Sequence, residues 1–326
     1  MNDTKILLRQ LGNSSLKITP IGLGTWQFSK GKGMAGSFWA KLDDSLMKEI
    51  VQVALDEGIN WFDTAELYGK GESEKALSRS LETLNVKQGE VYIATKWWPV
   101  FRTARSIGKT IGKRQEALHG FPIDLYQIHN PYSFSSISSQ MKEMGSLIQK
   151  GLIKNIGVSN FSASQMKKAH DELQKYGLRL ISNQVKYSLL DRGIEFNGVL
   201  NMAKELGISI IAYSPLKQGV LTGKFHEQPE LLSGVGFRKY TGAFRKSYLK
   251  KTLPLIEKLR ETGARHGATP AQVALNWAIN YHGDMIVAIP GASKVKQAKD
   301  NAGSMKFMLS EKEMEELSNL SLQAKI

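Results

Sequence analysis

The hydrophobic pattern of this chain repeats one unit. Short apolar runs rich in β-branched residues stop at a polar residue, and an amphipathic stretch with helical spacing usually follows. The runs are found at 21–24, 60–64, 91–96, 125–129, 156–160, 180–184, 208–214 and 285–291. Strands that alternate with helices favour a parallel sheet, and a barrel of parallel strands carries its chemistry at their carboxyl ends. The pattern predicts an enzyme.

Turn and capping signals place further elements around these strands. Apolar segments at 6–8 and 16–18 flank a glycine-containing turn, which predicts a small hairpin before the first barrel strand. Residues 221–247 show no periodicity, so we expect a long loop there, of the kind that often covers a ligand. Helices are predicted to begin next to four polar residues: Asp43, Ser162, Thr269 and Ser310.

Length and composition fit one soluble domain. The chain has 326 residues, and α/β barrels commonly exceed about 250 residues as a single unit, so we expect one domain over residues 1–326. No apolar stretch reaches the roughly 18 residues of a membrane helix, and the absence of cysteine excludes disulfides and thiolate chemistry. We therefore expect a cytoplasmic protein without a membrane partner, as a monomer or weak homo-oligomer.

The net charge of +14 favours anionic ligands. Its densest run is formed by Arg102, Arg105, Lys109, Lys113 and Arg114, whose spacing predicts one solvated face of an outer helix. No aromatic platform is interleaved with these residues and no nucleic-acid motif accompanies them. The sequence therefore does not favour a nucleic-acid partner.

Neither a dinucleotide-binding motif nor a metal-binding motif is supported by its context in the sequence. The spelling G-x-G-x-x-G occurs at 31–36, but it does not connect a strand directly to a helix as a dinucleotide-binding fold requires. The six histidines are scattered without paired spacing, so no metal site is predicted.

Four polar residues near the ends of three successive strands form a coherent set. Each of Asp63, Tyr68, Lys96 and His129 has an ordinary structural explanation when taken singly. Together they suggest acid catalysis, because an ammonium beside a tyrosine hydroxyl stabilises the phenolate and lowers its pKa. Asp63 would supply the counter-charge of a buried Lys96, and His129 a donor for a carbonyl oxygen.

With these residues in place, the sequence resembles the aldo-keto reductases over nearly its whole length. The matching segments are 22–26, 62–69, 95–96, 129–131, 157–161, Gln184, 212–216 and 289–294. The resemblance implies an α/β fold of the (β/α)8 TIM-barrel type, with an N-terminal β-hairpin and extra C-terminal helices. It also implies NADPH-linked reduction of an aldehyde or ketone, with Asp63, Tyr68, Lys96 and His129 as the catalytic tetrad.

The same resemblance assigns cofactor contacts. It implies that Ser159, Asn160 and Gln184 hold the nicotinamide carboxamide while Tyr213 stacks on the ring. Ser293 and Lys294 would take the 2′-phosphate, at a helix start that favours an anion. The other implied contacts with NADPH are Gly24, Thr25, Trp26, Ser214, Pro215, Leu216, Gly219, Lys224, Gly291, Gln297 and Asn301.

Aromatic residues after the strand ends suggest a substrate wall. Trp26, Trp97, Trp98 and Tyr132, beside His129, form this wall or simply pack at the barrel rim. Two positions depart from the pattern of many relatives, which have tryptophan in place of Asn130 and arginine in place of Lys294. A lysine loses the bidentate grip on a phosphate, so some use of NADH is expected beside NADPH.

Two other functions stay open on the sequence alone. The same fold serves as a nicotinamide-sensing regulatory subunit of membrane channels, and the same barrel rim could support an isomerase. Fold analogy does not choose among these functions.

Overall fold

The structure is a computed structural model that describes residues 6–36 and 38–324, without the side chains of residues 34, 35 and 237–241. The ten strands in these ranges are β1 Arg9–Gln10, β2 Lys17–Ile18, β3 Leu23–Gly24, β4 Trp61–Asp63, β5 Tyr92–Trp97, β6 Leu125–Ile128, β7 Ile156–Ser159, β8 Leu180–Lys186, β9 Ser209–Tyr213 and β10 Ile286–Ala288. The twelve α-helices are α1 Gly33–Gly36, α2 Asp44–Asp56, α3 Glu72–Thr83, α4 Arg105–Ala117, α5 Ile137–Gln149, α6 Ala163–Gln174, α7 Val199–Leu206, α8 Lys224–Glu227, α9 Lys246–His266, α10 Pro270–Asn280, α11 Val295–Gly303 and α12 Glu311–Gln323.

Strands β3 to β10 form one parallel sheet in chain order. The sheet closes on itself, because the amide of Gly22 donates to the carbonyl of Ala288 at 2.8 Å and Gly24 bridges to Gly291. Helices lie between successive strands, and their apolar faces form the main core with the outer face of the sheet. The predicted (β/α)8 barrel is confirmed, with every strand carboxyl end at one rim.

The N-terminal hairpin closes the opposite end of the barrel. Its residues Leu11 and Leu16 pack with Trp61 inside the barrel. The predicted hairpin is confirmed, but its first strand is β1 and not the apolar segment 6–8, where Leu7 is 78% exposed. Arg9 sets this register, since its guanidinium donates to the carbonyl of Ile286 at 2.6 Å.

Side-chain caps fix where the main helices begin. Asp43 caps α2 by accepting the amide of Leu46 at 2.8 Å. Capping boxes open three other helices, at Ser162 with Gln165, Thr269 with Gln272, and Ser310 with Glu313. All four predicted helix starts are confirmed. The additions to the barrel are α9, before α10, and α12, which packs against α9 at the C-terminus.

The stretch 221–247 differs from the open loop that its sequence predicts. It contains α8, the end of the 3-10 segment Lys217–Thr222 and the whole 3-10 segment Pro229–Thr241. Phe225, Val235 and Phe244 form a small apolar cluster there. These contacts join residues several turns apart within the stretch, and a periodic pattern in the sequence does not indicate contacts of this kind.

The basic run also differs from its prediction. Arg105, Lys109 and Lys113 are exposed on α4 as expected. Arg114 is instead 7% exposed and pairs with the carboxylate of Glu66 at 2.5 Å. The solvated-face prediction is wrong for Arg114, because the carboxylates of Glu66 and of Glu74 on α3 compensate its charge. It is also wrong for Arg102, which precedes α4 and is partly buried. Across the described ranges, no helix has both the length and the apolar character needed to cross a membrane.

Candidate active site

The structure brings the four predicted catalytic residues together at the barrel rim. Asp63 ends β4, Lys96 lies in β5, His129 follows β6, and Tyr68 lies in the loop after β4. The Nζ atom of Lys96 binds the carboxylate of Asp63 and lies 3.5 Å from the hydroxyl of Tyr68. The rings of Tyr68 and His129 meet edge to face with centroids 5.7 Å apart. One ammonium therefore contacts both a carboxylate and a phenol.

Two glutamines complete the surroundings of Asp63. The amide groups of Gln127 and Gln184 donate to its Oδ2 atom at 3.1 and 2.8 Å. Gln184 was predicted as a cofactor contact, and it lines the cavity while it holds Asp63. Gln127 was not singled out. It stands two residues before His129 on the chain, and side chains two apart on a strand share one face, which is the signal that points to it.

Burial dominates the acid–base properties of the central pair. Burial lowers the pKa of Lys96, although the carboxylates of Asp63 and Glu74 act in the opposite direction. Burial and the Asp63 carboxylate raise the pKa of Tyr68 well above its usual value. This direction is opposite to the lowering that the sequence predicted, because desolvation of a phenolate outweighs the nearby ammonium. Tyr68 thus stays protonated and able to donate.

His129 is held in its neutral form. Burial lowers the pKa of His129 well below its usual value, and the positive charge of Lys96 acts in the same direction. Its Nδ1 atom has no hydrogen-bond partner among the described residues. A neutral imidazole carries one N–H donor and one acceptor, so His129 can donate to an uncharged oxygen without adding a charge to the site.

A cavity of about 730 Å³ opens beside these residues. It is lined by every predicted cofactor residue except Lys294, and by Asp63, Tyr68 and His129 of the tetrad. The lining residues that sequence reasoning did not assign to the site are Gln27, Trp39, Ala40, Leu67, Asn130, Gln218, Thr222, Thr269, Pro270, Ala271, Ile289, Pro290 and Asp300.

The end of the cavity near the tetrad presents amide and hydroxyl groups beside an aromatic ring. Asn160 donates through Nδ2 to the hydroxyl of Ser159 at 3.1 Å, and the hydroxyl of Tyr213 donates to Oδ1 of Asn160 at 3.0 Å. These groups suit a carboxamide and a flat ring, which are the two parts of nicotinamide.

The cavity-lining loop after β9 has the backbone features of an anion site. Ser214, Gln218 and Gly219 have positive φ angles of 52°, 55° and 96°, and such turns gather amide N–H groups around an anion. These features fit a dinucleotide pyrophosphate.

The start of α11 also borders the cavity, through Ser293 and Gln297. Ser293 donates through its amide and its hydroxyl to Oε1 of Gln297, at 2.8 and 3.1 Å. Lys294 is the N-cap residue and is exposed. It stands at the predicted helix start, but it does not line the cavity.

The four aromatic residues considered for a substrate wall have different surroundings. Trp26 stacks on Tyr68 with centroids 5.8 Å apart, and Trp98 meets His129 at 5.3 Å. Trp97 is fully buried and its indole donates to Ser106, because side chains alternate along β5 and turn it toward α4. Tyr132 is 74% exposed. Trp97 and Tyr132 do not line the cavity, so of the two alternatives that the sequence left open, a place in the wall is supported only for Trp26 and Trp98.

Trp39 is a wall residue that the sequence did not indicate. It lines the cavity and meets Trp26 at a centroid distance of 5.8 Å. The segment around it has no helical or strand periodicity, so only the folded chain places this indole.

In the described residues, no group of three or more His, Asp or Glu side chains is arranged to hold a metal ion.

The closed barrel with a cavity and buried ionisable groups at its rim defines the class as a (β/α)8-barrel protein with a candidate active site. The sequence model of the Aldo/keto reductase family matches residues 20–321. The chain belongs to this family, whose members use NADP(H).

Relatives and solved structures agree with this assignment. The chain is 33% identical to "Pyridoxal reductase, chloroplastic" of Arabidopsis thaliana, over 93% of this chain and 83% of that protein. It is 36% identical to an uncharacterized oxidoreductase of Mycobacterium tuberculosis, over 90% of this chain and 86% of that protein. The glycerol dehydrogenase of Gluconobacter oxydans superposes with a TM-score of 0.82 at 26% identity, over 96% and 94% of the two chains.

Proposed function

We propose that this protein transfers a hydride from NADPH to the carbonyl carbon of an aldehyde or ketone, and catalyses the reverse oxidation of the alcohol. The observation that carries the proposal is the contact of Lys96 Nζ with the Tyr68 hydroxyl, 3.5 Å apart beside a cavity suited to a dinucleotide. Bound NADPH supplies the hydride, and a protein acid must supply the proton.

Tyr68 is the proton donor of this proposal. Its hydroxyl gives its proton to the carbonyl oxygen as that oxygen gains negative charge, which completes the alcohol. The ammonium of Lys96 stabilises the phenolate that remains, and Asp63 keeps the ammonium in place. His129 is neutral, so its N–H polarises and orients the carbonyl oxygen without competing as an acid.

The substrate class follows from the cavity wall. The rings of Trp26, Trp39 and Trp98 line the cavity beside Tyr68. Flat aromatic aldehydes fit between such rings, since ring contacts add attraction to the burial of apolar surface. The Arabidopsis relative is named a pyridoxal reductase, so pyridoxal is one aromatic aldehyde to test.

Lysine side chains and helix α11 support NADPH over NADH. Lys224 lines the cavity, and Lys294 with Ser293 stands at the start of α11. A 2′-phosphate gains from both the helix dipole and the cationic side chains.

The test is a spectrophotometric scan of NADPH and NADH oxidation with benzaldehyde, pyridoxal, acetaldehyde, a ketone and an aldose. We expect NADPH to be consumed, fastest with the aromatic aldehydes. NADPH binding without consumption on any carbonyl compound would contradict the proposal and favour a nicotinamide-sensing subunit. Conversion of a substrate without loss of NADPH would favour an isomerase.

A further inference from the structure

A set of directed contacts lies behind the cavity wall at Trp98. The guanidinium of Arg102 donates through one NH1 group to Oε1 of Glu66 at 2.5 Å and to the backbone carbonyl of Trp98 at 3.1 Å. Its Nε and NH2 groups donate to the hydroxyls of Ser106 at 3.1 Å and Thr110 at 2.9 Å. Four partners therefore hold this guanidinium in one orientation.

Glu66 holds the other backbone group of the same tryptophan. Its Oε1 atom accepts the amide N–H of Trp98 at 2.5 Å. Its Oε2 atom accepts from Arg114 at 2.5 Å, in a pair whose side chains are 10% and 8% exposed. The amide of Trp98, a residue that follows β5, is thus bound by Glu66 and its carbonyl by Arg102. These two side chains form one ion pair.

These contacts connect three successive loops at the barrel rim. Glu66 lies in the loop after β4, between Asp63 and Tyr68, and Arg102 lies in the loop after β5. The backbone carbonyl of Arg102 accepts the amide of Phe134 at 3.0 Å and the hydroxyl of Ser133 at 2.8 Å, in the loop after β6. Movement of Trp98 would require these loops to separate.

The indole of Trp98 lies where its position affects the reaction. It lines the cavity and its ring meets His129 edge to face, with centroids 5.3 Å apart. Neither Glu66 nor Arg102 lines the cavity. Any effect of these two residues on a substrate must therefore pass through Trp98 and its neighbours.

We propose that Glu66 and Arg102, here called the Trp98 clamp, are positioning residues that set the preference for aromatic carbonyl substrates, an inference that rests on the proposed reductase function. The clamp fixes the backbone on both sides of the indole, so the wall keeps one shape against a flat ring. A small aliphatic aldehyde has no ring to place against the indole, so it depends less on the shape of that wall. Loss of the clamp therefore weakens the reaction of aromatic aldehydes selectively.

The main test compares Arg102→Ala with Arg105→Ala, which removes an exposed arginine three residues away. Arg102→Ala leaves Glu66 paired with buried Arg114, so no buried charge is stranded. We expect kcat/KM for benzaldehyde to fall about tenfold in Arg102→Ala, chiefly through KM, as for the loss of one charged hydrogen bond. Acetaldehyde turnover and the Kd for NADPH should stay at the wild-type value, as should all parameters of Arg105→Ala.

A double-mutant cycle with Trp98→Ala shows whether the effect passes through the indole. In the Trp98→Ala background, Arg102→Ala should no longer change the ratio of benzaldehyde to acetaldehyde kcat/KM. Equal losses for the two aldehydes, or an undiminished effect of Arg102→Ala without the indole, would overturn the clamp proposal.

A measurement without turnover separates this proposal from the reductase function. Hydrogen exchange at the Trp98 amide should be slow in the wild-type protein and faster in Arg102→Ala, while Arg105→Ala stays slow. Unchanged exchange in Arg102→Ala would refute the clamp even in an active enzyme. Failure of the wild-type protein to consume NADPH would instead refute the reductase function, and the exchange rates would still decide whether Trp98 is clamped.

Discussion

Lys96 lies close to a second buried carboxylate, that of Glu74, which the sequence alone did not indicate. Oε1 of Glu74 accepts the hydroxyl of Thr95 at 2.6 Å, and Oε2 lies 2.9 Å from Nε of Arg114 without hydrogen-bond alignment. Burial raises the pKa of Glu74 to about 7, while Arg114 acts in the opposite direction. This carboxyl group therefore changes charge near neutral pH while it remains inside the fold.

Stability should depend on pH through Glu74. Between its ordinary pKa of 4.5 and its folded value of about 7, the folded protein keeps a proton that the unfolded chain releases. The stability contributed by this group is therefore present below pH 4.5 and is lost as the pH rises to 7. Relative to Glu74→Gln, the wild-type free energy of unfolding should fall by about 3 kcal/mol over that range.

Urea unfolding at several pH values measures this difference. Glu116→Gln, which removes an exposed carboxylate on α4, is the matched control and should keep the pH profile of the wild-type protein. A difference between the wild-type protein and Glu74→Gln that does not vary with pH would contradict the raised pKa of Glu74.

The proximity of Asp63, Tyr68, Lys96 and His129 could be predicted from the sequence, but the direction of the pKa shift of Tyr68 could not. Residue types and strand ends placed Lys96 beside Tyr68, and the structure agrees. The pKa depends on how far water is excluded from the phenol, which is a property of the whole fold. Trp97 shows the same limit, since one position along β5 decides whether an indole faces the cavity or a helix.

At the scale of elements, the strands and helix starts could be predicted because their signals are local. Barrel strands are buried on both faces, so they appear as continuous apolar runs. Caps such as Thr269 and Ser310 act within one helical turn. The first hairpin strand could not be placed, because its contact with the distant Ile286 determines it. The stretch 221–247 could not be placed because contacts between its two ends, such as that of Phe225 with Phe244, hold its elements.

The capping box of α12 offers a direct test at this scale. Ser310→Ala removes the hydroxyl that accepts the amide of Glu313 at 3.3 Å. We expect it to lower the free energy of unfolding by about 1 kcal/mol and to leave NADPH-dependent turnover unchanged, since α12 does not line the cavity.

Lys312→Ala, an exposed position in the same helix, serves as the control for this cap. It should change stability by less than about 0.5 kcal/mol in chemical denaturation. Equal effects of Ser310→Ala and Lys312→Ala would show that the cap does not stabilise α12.

At the scale of the whole molecule, the net charge of +14 should act on the anionic cofactor. NADPH carries one phosphate more than NADH, so its attraction to the protein depends more strongly on screening by salt. We expect the Kd for NADPH to rise more than the Kd for NADH between low salt and about 0.3 M salt. Titration of protein fluorescence measures both constants, and equal salt dependence would contradict a cationic 2′-phosphate site.

The central claim is that the barrel rim makes Tyr68 the proton donor to a carbonyl beside bound NADPH. Tyr68→Phe removes only the hydroxyl oxygen and keeps the ring that stacks on Trp26. The decisive measurement is the rate of NADPH loss in a single turnover with benzaldehyde, for wild-type protein and Tyr68→Phe with equal amounts of bound NADPH. The account predicts a fall of at least about a hundredfold with an unchanged Kd for NADPH, whereas a wild-type rate in Tyr68→Phe would contradict it.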